Sequence, residues 1–172
     1  LQYYSQETER LILRKMSKDD IEDWMEFFID NPLEKYLGID ITLPSKTKAS
    51  NWIEIQLKRY ASNNFGHLTA IEKDGGHLIG VGGLIKRELN AKKEFEIAYS
   101  IIPRFWGNGY ATEIAKQMKQ FAIQNNLHDS LISIIAVGNV ASKKVASKNG
   151  MHIAETTIYK GMQVNIFRVK CD

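Results

Sequence analysis

The feature that most constrains this chain is a change of hydrophobic period across two glycines. Residues 95–102 form a strongly apolar, strand-like run that stops at Pro103, and Arg104-Phe105-Trp106-Gly107-Asn108-Gly109 leads out of it. From Tyr110-Ala111-Thr112 onward the apolar residues Ile114, Met118, Phe121 and Ala122 recur at helical spacing until about Asn126. Residues 130–137 are again strand-like and rich in isoleucine. Strand, helix and strand in this order make a crossover, so the two strands lie parallel and side by side. The loop that opens the helix has a chemical consequence. The first amides of a helix lack partners inside it, and the helix dipole adds partial positive charge there. Glycines on both sides of Asn108 let the backbone approach a ligand closely. The stretch from Arg104 to Thr112 therefore reads as an anion cradle suited to phosphate. It lies at the carboxyl end of a parallel strand, where open α/β sheets bind ligands.

The rest of the chain supplies the sheet around this unit. Residues 9–16 predict a short strand with Leu11 and Leu13 on one face. Ser17 is placed to cap a helix through Phe28, with Asp19 and Asp20 in its first turn. Residues 33–43 read as loop with one helical turn. Ser45 is expected to cap a longer helix carrying Ala49, Trp52, Ile53, Leu57 and Tyr60 on one face, ending at Asn63-Asn64. Residues 67–73 and 77–85 read as a hairpin around Asp74-Gly75-Gly76, and Gly80, Gly82 and Gly83 in the second strand signal a bulge or close backbone approach. Residues 89–93 read as a polar turn. Asn139 precedes a helix over 140–148 that Asn149-Gly150 ends, and two strands, 151–158 and 162–169, follow around Tyr159-Lys160-Gly161. The predicted architecture is α/β (α+β): one mixed, mainly antiparallel twisted sheet of about seven strands flanked by helices. Its central parallel pair is 95–102 and 130–137, and residues 1–172 are read as a single domain.

Composition narrows the function. A net charge of +3 is too mild for a dedicated nucleic-acid binder, yet it tolerates a polyanionic small ligand. The single Cys171 cannot form an internal disulfide, and the four histidines show no metal-ligand spacing. No apolar run approaches the roughly 20 residues of a membrane helix. No signal-peptide pattern opens the chain, although it does not begin with Met. A reduced, cytoplasmic setting is expected, with no metal, no membrane and no direct nucleic-acid partner.

Three phosphate ligands compete for the cradle. A P-loop needs Gly-x-x-x-x-Gly-Lys-Ser/Thr, and no such string is present. A dinucleotide site needs a third glycine where Thr112 stands, and an acid at the end of the next strand; Asp129 precedes that strand. The remaining reading is a CoA pyrophosphate loop. Arg104-x-x-Gly107-x-Gly109, after a strand and before a helix, resembles the Arg/Gln-x-x-Gly-x-Gly/Ala motif of the GCN5-related N-acetyltransferase (GNAT) superfamily. The order of elements is similar along essentially the whole chain. Thr8-Glu9-Arg10-Leu11-Ile12-Leu13-Arg14 followed by Asp20, and Asn139-Val140-Ala141-Ser142 followed by Val145, Lys148 and Gly150, resemble the RimJ/RimL-type branch of ribosomal-protein N-terminal acetyltransferases. Met151 stands where that branch usually has Phe. A different branch has a catalytic Tyr seven residues after the Asn; here that position is Ala146.

The resemblance implies an acetyl-CoA-dependent N-acetyltransferase. Its donor site would comprise Ile101, Ile102, Arg104, Phe105, Trp106, Gly107, Asn108, Gly109, Tyr110, Ala111, Thr112 and Asn139. The strand backbone near Ile101 and Ile102 would pair with the pantetheine arm, with the neighbouring parallel strand splayed away to make room. Asn139 would reach the pantetheine or acetyl region and also serves as a helix cap. Ser142 matches the proposed general acid, and a first-turn serine is equally a polar filler. On the strand, Glu96 shares a face with Ala98 and Ser100, opposite Phe95, Ile97 and Tyr99. It is the candidate general base; the competing reading is an ion pair with Arg87 or Lys86. Glu94, nearer the turn, is expected in solvent. Lys143, Lys144 and Lys148 lie on a basic face that CoA phosphates or water would meet.

The resemblance implies a primary amine as the acceptor. A lysine ammonium has a pKa of about 10.4 and an α-amine about 7.7–8.0, so near neutral pH an α-amine loses its proton with several kcal/mol less work. That favours a protein N-terminus, with a small-molecule amine or a non-catalytic CoA-binding sensor as alternatives. The acceptor rim is expected in residues 30–43 and 156–162, with Asp30, Glu34 and Asp40 lending negative charge. A homodimer is a further expectation.

Overall fold

A computed structural model describes residues 2–172. The strands are β1 (Ser5–Glu7), β2 (Leu11–Lys15), β3 (Phe65–Glu72), β4 (Leu78–Leu89), β5 (Lys92–Ile101), β6 (Ser130–Ala136), β7 (His152–Tyr159) and β8 (Met162–Lys170). The α-helices are α1 (Ile21–Met25), α2 (Ser45–Ala61), α3 (Tyr110–Gln124) and α4 (Val140–Lys148). All strands join one sheet in the order β1-β2-β3-β4-β5-β6-β8-β7. Every neighbouring pair is antiparallel except β5 and β6. The mixed sheet with its central parallel pair is the one the sequence predicts. The eighth strand is β1, a three-residue edge piece too short to carry a hydrophobic period of its own.

Both sheet faces are covered, which explains the long apolar run of the central strands. On one face α3 places Ile114, Met118, Phe121 and Ala122 against Leu11, Leu13, Leu68, Leu84, Ile97 and Ile101. On the other, α1 and α2 place Trp24, Ala49, Ile53 and Tyr60 over Val81, Leu78 and Ile102. Asp20 pins α1 to the sheet. It accepts both terminal nitrogens of Arg14 at 2.9 and 2.7 Å, the Thr69 hydroxyl at 3.1 Å and the Ser17 amide at 2.8 Å. Burial opposes its charge, yet these donors hold the carboxyl below its usual value.

Three local differences have plain causes. The helix expected over 17–28 is broken into a 3-10 turn (Lys18–Asp20), α1 and a second 3-10 turn (Glu26–Phe28), as the stacked Trp24 and Phe27 rings and edge-on Phe28 crowd one end of the core. Ser45 is the first residue of α2 rather than its cap, and its hydroxyl donates to the Phe28 carbonyl at 3.3 Å. The β4–β5 hairpin is longer than expected and turns at Asn90-Ala91, both at positive φ as the favoured two-residue hairpin turn requires. Its polar ends pair Arg87 with Glu94 and Glu88 with Lys93, while Leu89 packs with Ile132, Val164 and Ile166. Opposite charges across strands stabilise a ladder that lacks apolar alternation. The expected bulge also forms: β3–β4 register shifts between Ala70, paired with Gly80, and Ile71, paired with Leu78.

Candidate active site

The glycine loop is held from a distance. Pro103–Phe105 is a 3-10 turn, Trp106 is extended, and Gly107 and Gly109 both sit at φ +79°. Gly109 is the residue before α3. The first intrahelical bond of the helix runs from the Glu113 amide to the Gly109 carbonyl at 3.0 Å, so the preceding amides lack acceptors inside the helix. Arg10 fastens this helix start. Its guanidinium reaches the Asn108 carbonyl at 2.9 Å and Glu113 at 2.7 Å, and lies 4.4 Å from the Tyr110 ring centroid. The Thr8 hydroxyl and the Arg10 amide also donate to Glu113, at 2.5 and 2.9 Å. Burial works against the Glu113 charge, but these donors keep its carboxyl below the ordinary range. A negative residue in the first turn is thus neutralised before it can oppose an anion.

Next to the loop the sheet opens. β5 and β6 pair only at Glu96 and Ile132. Beyond that pair β6 stays zipped to β8 along its whole length, so β5 stands apart. The Ser133 hydroxyl caps the Ile97 carbonyl at 2.8 Å, and the Trp106 indole caps the Ile101 carbonyl at 2.7 Å. Tyr99 spans the gap and donates to the Ser142 carbonyl at 3.0 Å. Burial raises its phenol well above the usual value, so Tyr99 stays protonated. Asn139 caps α4 by accepting the Ser142 amide at 3.2 Å, as the sequence reading anticipates. The Ser142 hydroxyl has no hydrogen-bond partner among the described residues.

The gap continues into a cavity of about 610 Å³. Of the residues singled out from sequence, Ile101, Phe105, Trp106, Gly107, Gly109, Tyr110, Ala111, Thr112, Asn139, Ser142 and Glu96 line it. Three others turn away. Ile102 is buried under α1 and α2 and donates its amide to Ile79 at 2.9 Å. Arg104 binds Glu26 at 2.6 Å and stacks on Phe105. Asn108 turns its side-chain amide back to the Phe105 carbonyl at 3.0 Å. Lys144 and Lys148 of α4 also line the cavity, while Lys143 does not.

At the far end the cavity is made of side chains. Glu96 is 7 % exposed, and Arg87 donates Nε to its Oε2 at 2.6 Å. The ion pair considered from sequence therefore forms, and Glu96 Oε1 has no partner among the described residues. Glu94 is buried and held by Arg168 through two bonds of 3.1 and 2.8 Å, where solvent was expected. The reason is the hairpin extension, which carries Glu94 into the ladder opposite Arg87. His67 of β3 lines the cavity, stacked on Trp52 at 5.2 Å and 16°. Burial, then Arg59 and Arg87, push its imidazole down to about 3, so it is neutral. Neither of its ring nitrogens has a hydrogen-bond partner. Phe27, Leu33, Tyr36 and Leu37 cover this end with Tyr159 and Lys160. The two rim segments meet there: a Cβ on Gly38 would lie 2.8 Å from Lys160 Cδ, and one on Gly138 2.6 Å from the Tyr36 hydroxyl. The rim is not acidic, however. Glu34 is paired with Lys48, Asp40 accepts from Thr42, and neither these nor Asp30 lines the cavity.

His67 escapes sequence reasoning because it sits in a strand with an ordinary structural explanation, and Arg87 is anticipated only as a possible ion-pair partner of Glu96, not as a residue lining the cavity. A cue for Arg87 is the diagonal pairing with Glu96 that the hairpin register creates. Among the described residues no group of His, Cys, Asp or Glu side chains gathers as metal ligands, and no helix is long and apolar enough to cross a membrane.

An open sheet split at one parallel pair, with a glycine-opened helix at the mouth of the split, defines the acetyltransferase class. Residues 10–152 match the family model for the acetyltransferase (GNAT) domain, and the chain belongs to that family. A Bacillus subtilis (strain 168) relative, YkkB, is 27 % identical over 151 residues, covering 87 % of this chain and 86 % of its own. Among solved structures, RimL, a ribosomal L7/L12 α-N-protein acetyltransferase in complex with coenzyme A, superposes with a TM-score of 0.74 at 15 % identity, covering 95 % of each chain. The microcin C7 self-immunity acetyltransferase MccE, in complex with acetyl-CoA and AMP, gives 0.75 at 16 % identity, covering 94 % of this chain and 93 % of its own. At such identities these likenesses are of fold. The protein is an acetyl-CoA-dependent N-acetyltransferase, and acetyl-CoA is its donor substrate. The donor fits what the chain offers: free amides at a glycine-bracketed helix start, an unpaired strand edge and two lysines on α4.

Proposed function

We propose that this enzyme acetylates the N-terminal α-amine of a protein, with Glu96 as general base and Ser142 as proton donor to the leaving thiolate. The observation that carries the reading is the continuity of one cavity from the glycine loop, past Asn139 and Ser142, to Glu96. The loop amides of residues 107–112 hold the donor's pyrophosphate, and β5 near Ile101 holds its arm. Bound acetyl-CoA supplies an activated thioester carbonyl. Glu96 Oε1, free of the Arg87 pair, accepts the proton that the amine gives up as its nitrogen bonds to the acetyl carbon. The Ser142 hydroxyl gives a proton to the sulfur as the carbon–sulfur bond breaks. Arg87 keeps the Glu96 carboxylate oriented. A base already engaged by an arginine suits an acceptor that is easily deprotonated, and an α-amine is such an acceptor. The structural kinship with RimL supports a protein substrate.

The test is release of free CoA thiol across an acceptor panel of N-terminal peptides, lysine side-chain peptides, polyamines and amino acids. Peptide α-amines turning over at least tenfold faster in kcat/KM than lysine side chains is the expected result. Preference for polyamines, or no turnover by a protein that binds CoA, overturns it. Ser142→Ala should lower kcat in single turnover; an unchanged chemical step removes Ser142 as the acid.

A further inference from the structure

The end of the cavity that receives the acceptor has the wrong charge for a simple cationic amine. Its lining charges are Arg87 and Lys160 against the single carboxylate of Glu96. Arg59 stands close behind: burial, then Arg59 and Arg87, push down the imidazole of His67, and burial, then Arg87 and more weakly Arg59, push down the ammonium of Lys160. The carboxylates expected to offset this on the rim point elsewhere, as Glu34 and Asp40 are engaged with Lys48 and Thr42. Cation therefore exceeds anion around the place where an ammonium group would have to enter, and like charges across a binding surface cost affinity.

Arg87 is also underused. It meets Glu96 through Nε, and neither of its terminal amino groups has a hydrogen-bond partner among the described residues. Both belong to a residue that lines the cavity beside Glu96. An arginine with two parallel donors free matches a carboxylate, which it binds in paired, charge-assisted fashion. His67 adds a second observation. It lines the same end, is 7 % exposed, and has two unpartnered ring nitrogens, with the unpartnered indole nitrogen of Trp52 stacked beside it. Buried polar groups in native proteins are nearly always bonded, so an unpartnered cluster beside the cavity is an uncommon arrangement.

We propose that the acceptor amine carries a carboxylate a few bonds from its nitrogen, and that Arg87, Lys160 and His67 form the subsite that holds it. The inference rests on the acetyl-transfer reading above and narrows its substrate class. Glu96 Oε1 and the free Arg87 amino groups belong to one ion pair, so the sites for amine and carboxylate are only a few ångströms apart. That spacing suits the acidic side chain of an N-terminal aspartate or glutamate, and equally the α-carboxylate of a free amino acid. Lys160 lies on the β7–β8 turn against Gly38, where it closes the subsite from the rim.

The experiment compares matched acceptors with the intact enzyme and saturating acetyl-CoA. Peptides beginning with Asp or Glu are set against those beginning with Asn or Gln, and free amino acids against their amides. The expected result is a preference of tenfold or more in kcat/KM for the carboxylate member of at least one pair, carried mainly by KM. The winning pair tells side-chain from α-carboxylate recognition. Arg87→Gln should collapse that preference to within about twofold, Lys160→Gln should reduce it, and His67→Gln should weaken acidic acceptors more than neutral ones. Unchanged CoA binding and thermal melting show that each variant is folded. Equal rates for carboxylate and neutral members overturn the proposal while leaving α-amine acetylation standing. If no acceptor turns over, acetyl transfer to α-amines falls, and calorimetry with Asp- and Asn-headed peptides on the CoA complex decides the subsite: no difference that Arg87→Gln removes means no subsite.

Discussion

The two ends of the cavity are built from different parts of the chain. The donor end is mostly backbone: glycines at positive φ, unpaired helix amides and a strand edge, all within residues 97–112, with α4 facing them. The acceptor end is mostly side chains from distant segments: Trp52 of α2, His67 of β3, Arg87 of β4, Glu96 of β5, Tyr36 and Lys160. A backbone site tolerates sequence drift wherever φ is ordinary, because almost any residue can offer an amide; Gly107 and Gly109, both at φ +79°, are the exceptions. A side-chain site changes with every substitution, so the proposed selectivity for the amine belongs to that end.

This contrast can be broken or sharpened by experiment, beginning with the largest effect. Glu96→Gln should lower kcat by about 10²–10⁴-fold, the usual share of general base catalysis, with CoA affinity by calorimetry unchanged. A parallel loss of CoA binding would mean that the two ends are one unit. Gly109→Val should cost about 1–3 kcal/mol, because a β-branched residue is strained at φ +79°. It should weaken CoA binding ten- to a hundredfold and leave the relative rates of different acceptors intact.

A pH experiment separates the ends in stability. The His67 imidazole is held down at about 3 by burial and then by Arg59 and Arg87. In the unfolded chain it titrates near 6.5, so its contribution is fully present above that pH and is lost as pH falls toward 3. Between pH 6.5 and 5 the protein should lose roughly 1.5 kcal/mol through this group, and His67→Gln should not. Urea denaturation at the two pH values measures it; equal losses would show that His67 does not titrate as a buried neutral group. The smallest effect belongs to Arg10→Ala. It loosens the hold on Asn108 and Glu113, and should raise the CoA Kd a few-fold and lower Tm by a few degrees. A change in acceptor preference instead would contradict the division.

The glycine loop and the helix start after it are legible in sequence because their signal is local. Pro103, Gly107 and Gly109 mark the strand end, the turn and the helix start within a few residues, and Asn139 announces the cap of α4. The Thr8–Arg14 opening carries no local signal beyond its family resemblance, and the fold supplies the mechanism: Thr8 and Arg10 clamp the start of α3, and Arg14 holds Asp20. Arg104 shows the limit of a motif. It fits the pattern, yet its guanidinium lies over Phe105 and binds Glu26. Residues 30–43 misled in the other direction, since acidic residues in a loop do not reveal which of them a lysine will claim.

Periodicity and glycine placement in this chain determined the sheet, the parallel pair and the glycine-opened helix start, since each depends on neighbours a few residues apart. Only tertiary structure decided which charges line the far end of the cavity. The extended β4–β5 hairpin sets Arg87 diagonal to Glu96 and sends Glu94 to Arg168, and the packing of α2 on β3 buries His67 beside Trp52. Those partnerships join residues brought together by hairpin register and helix–sheet packing. They are properties of the folded sheet, to which no local stretch of sequence has access.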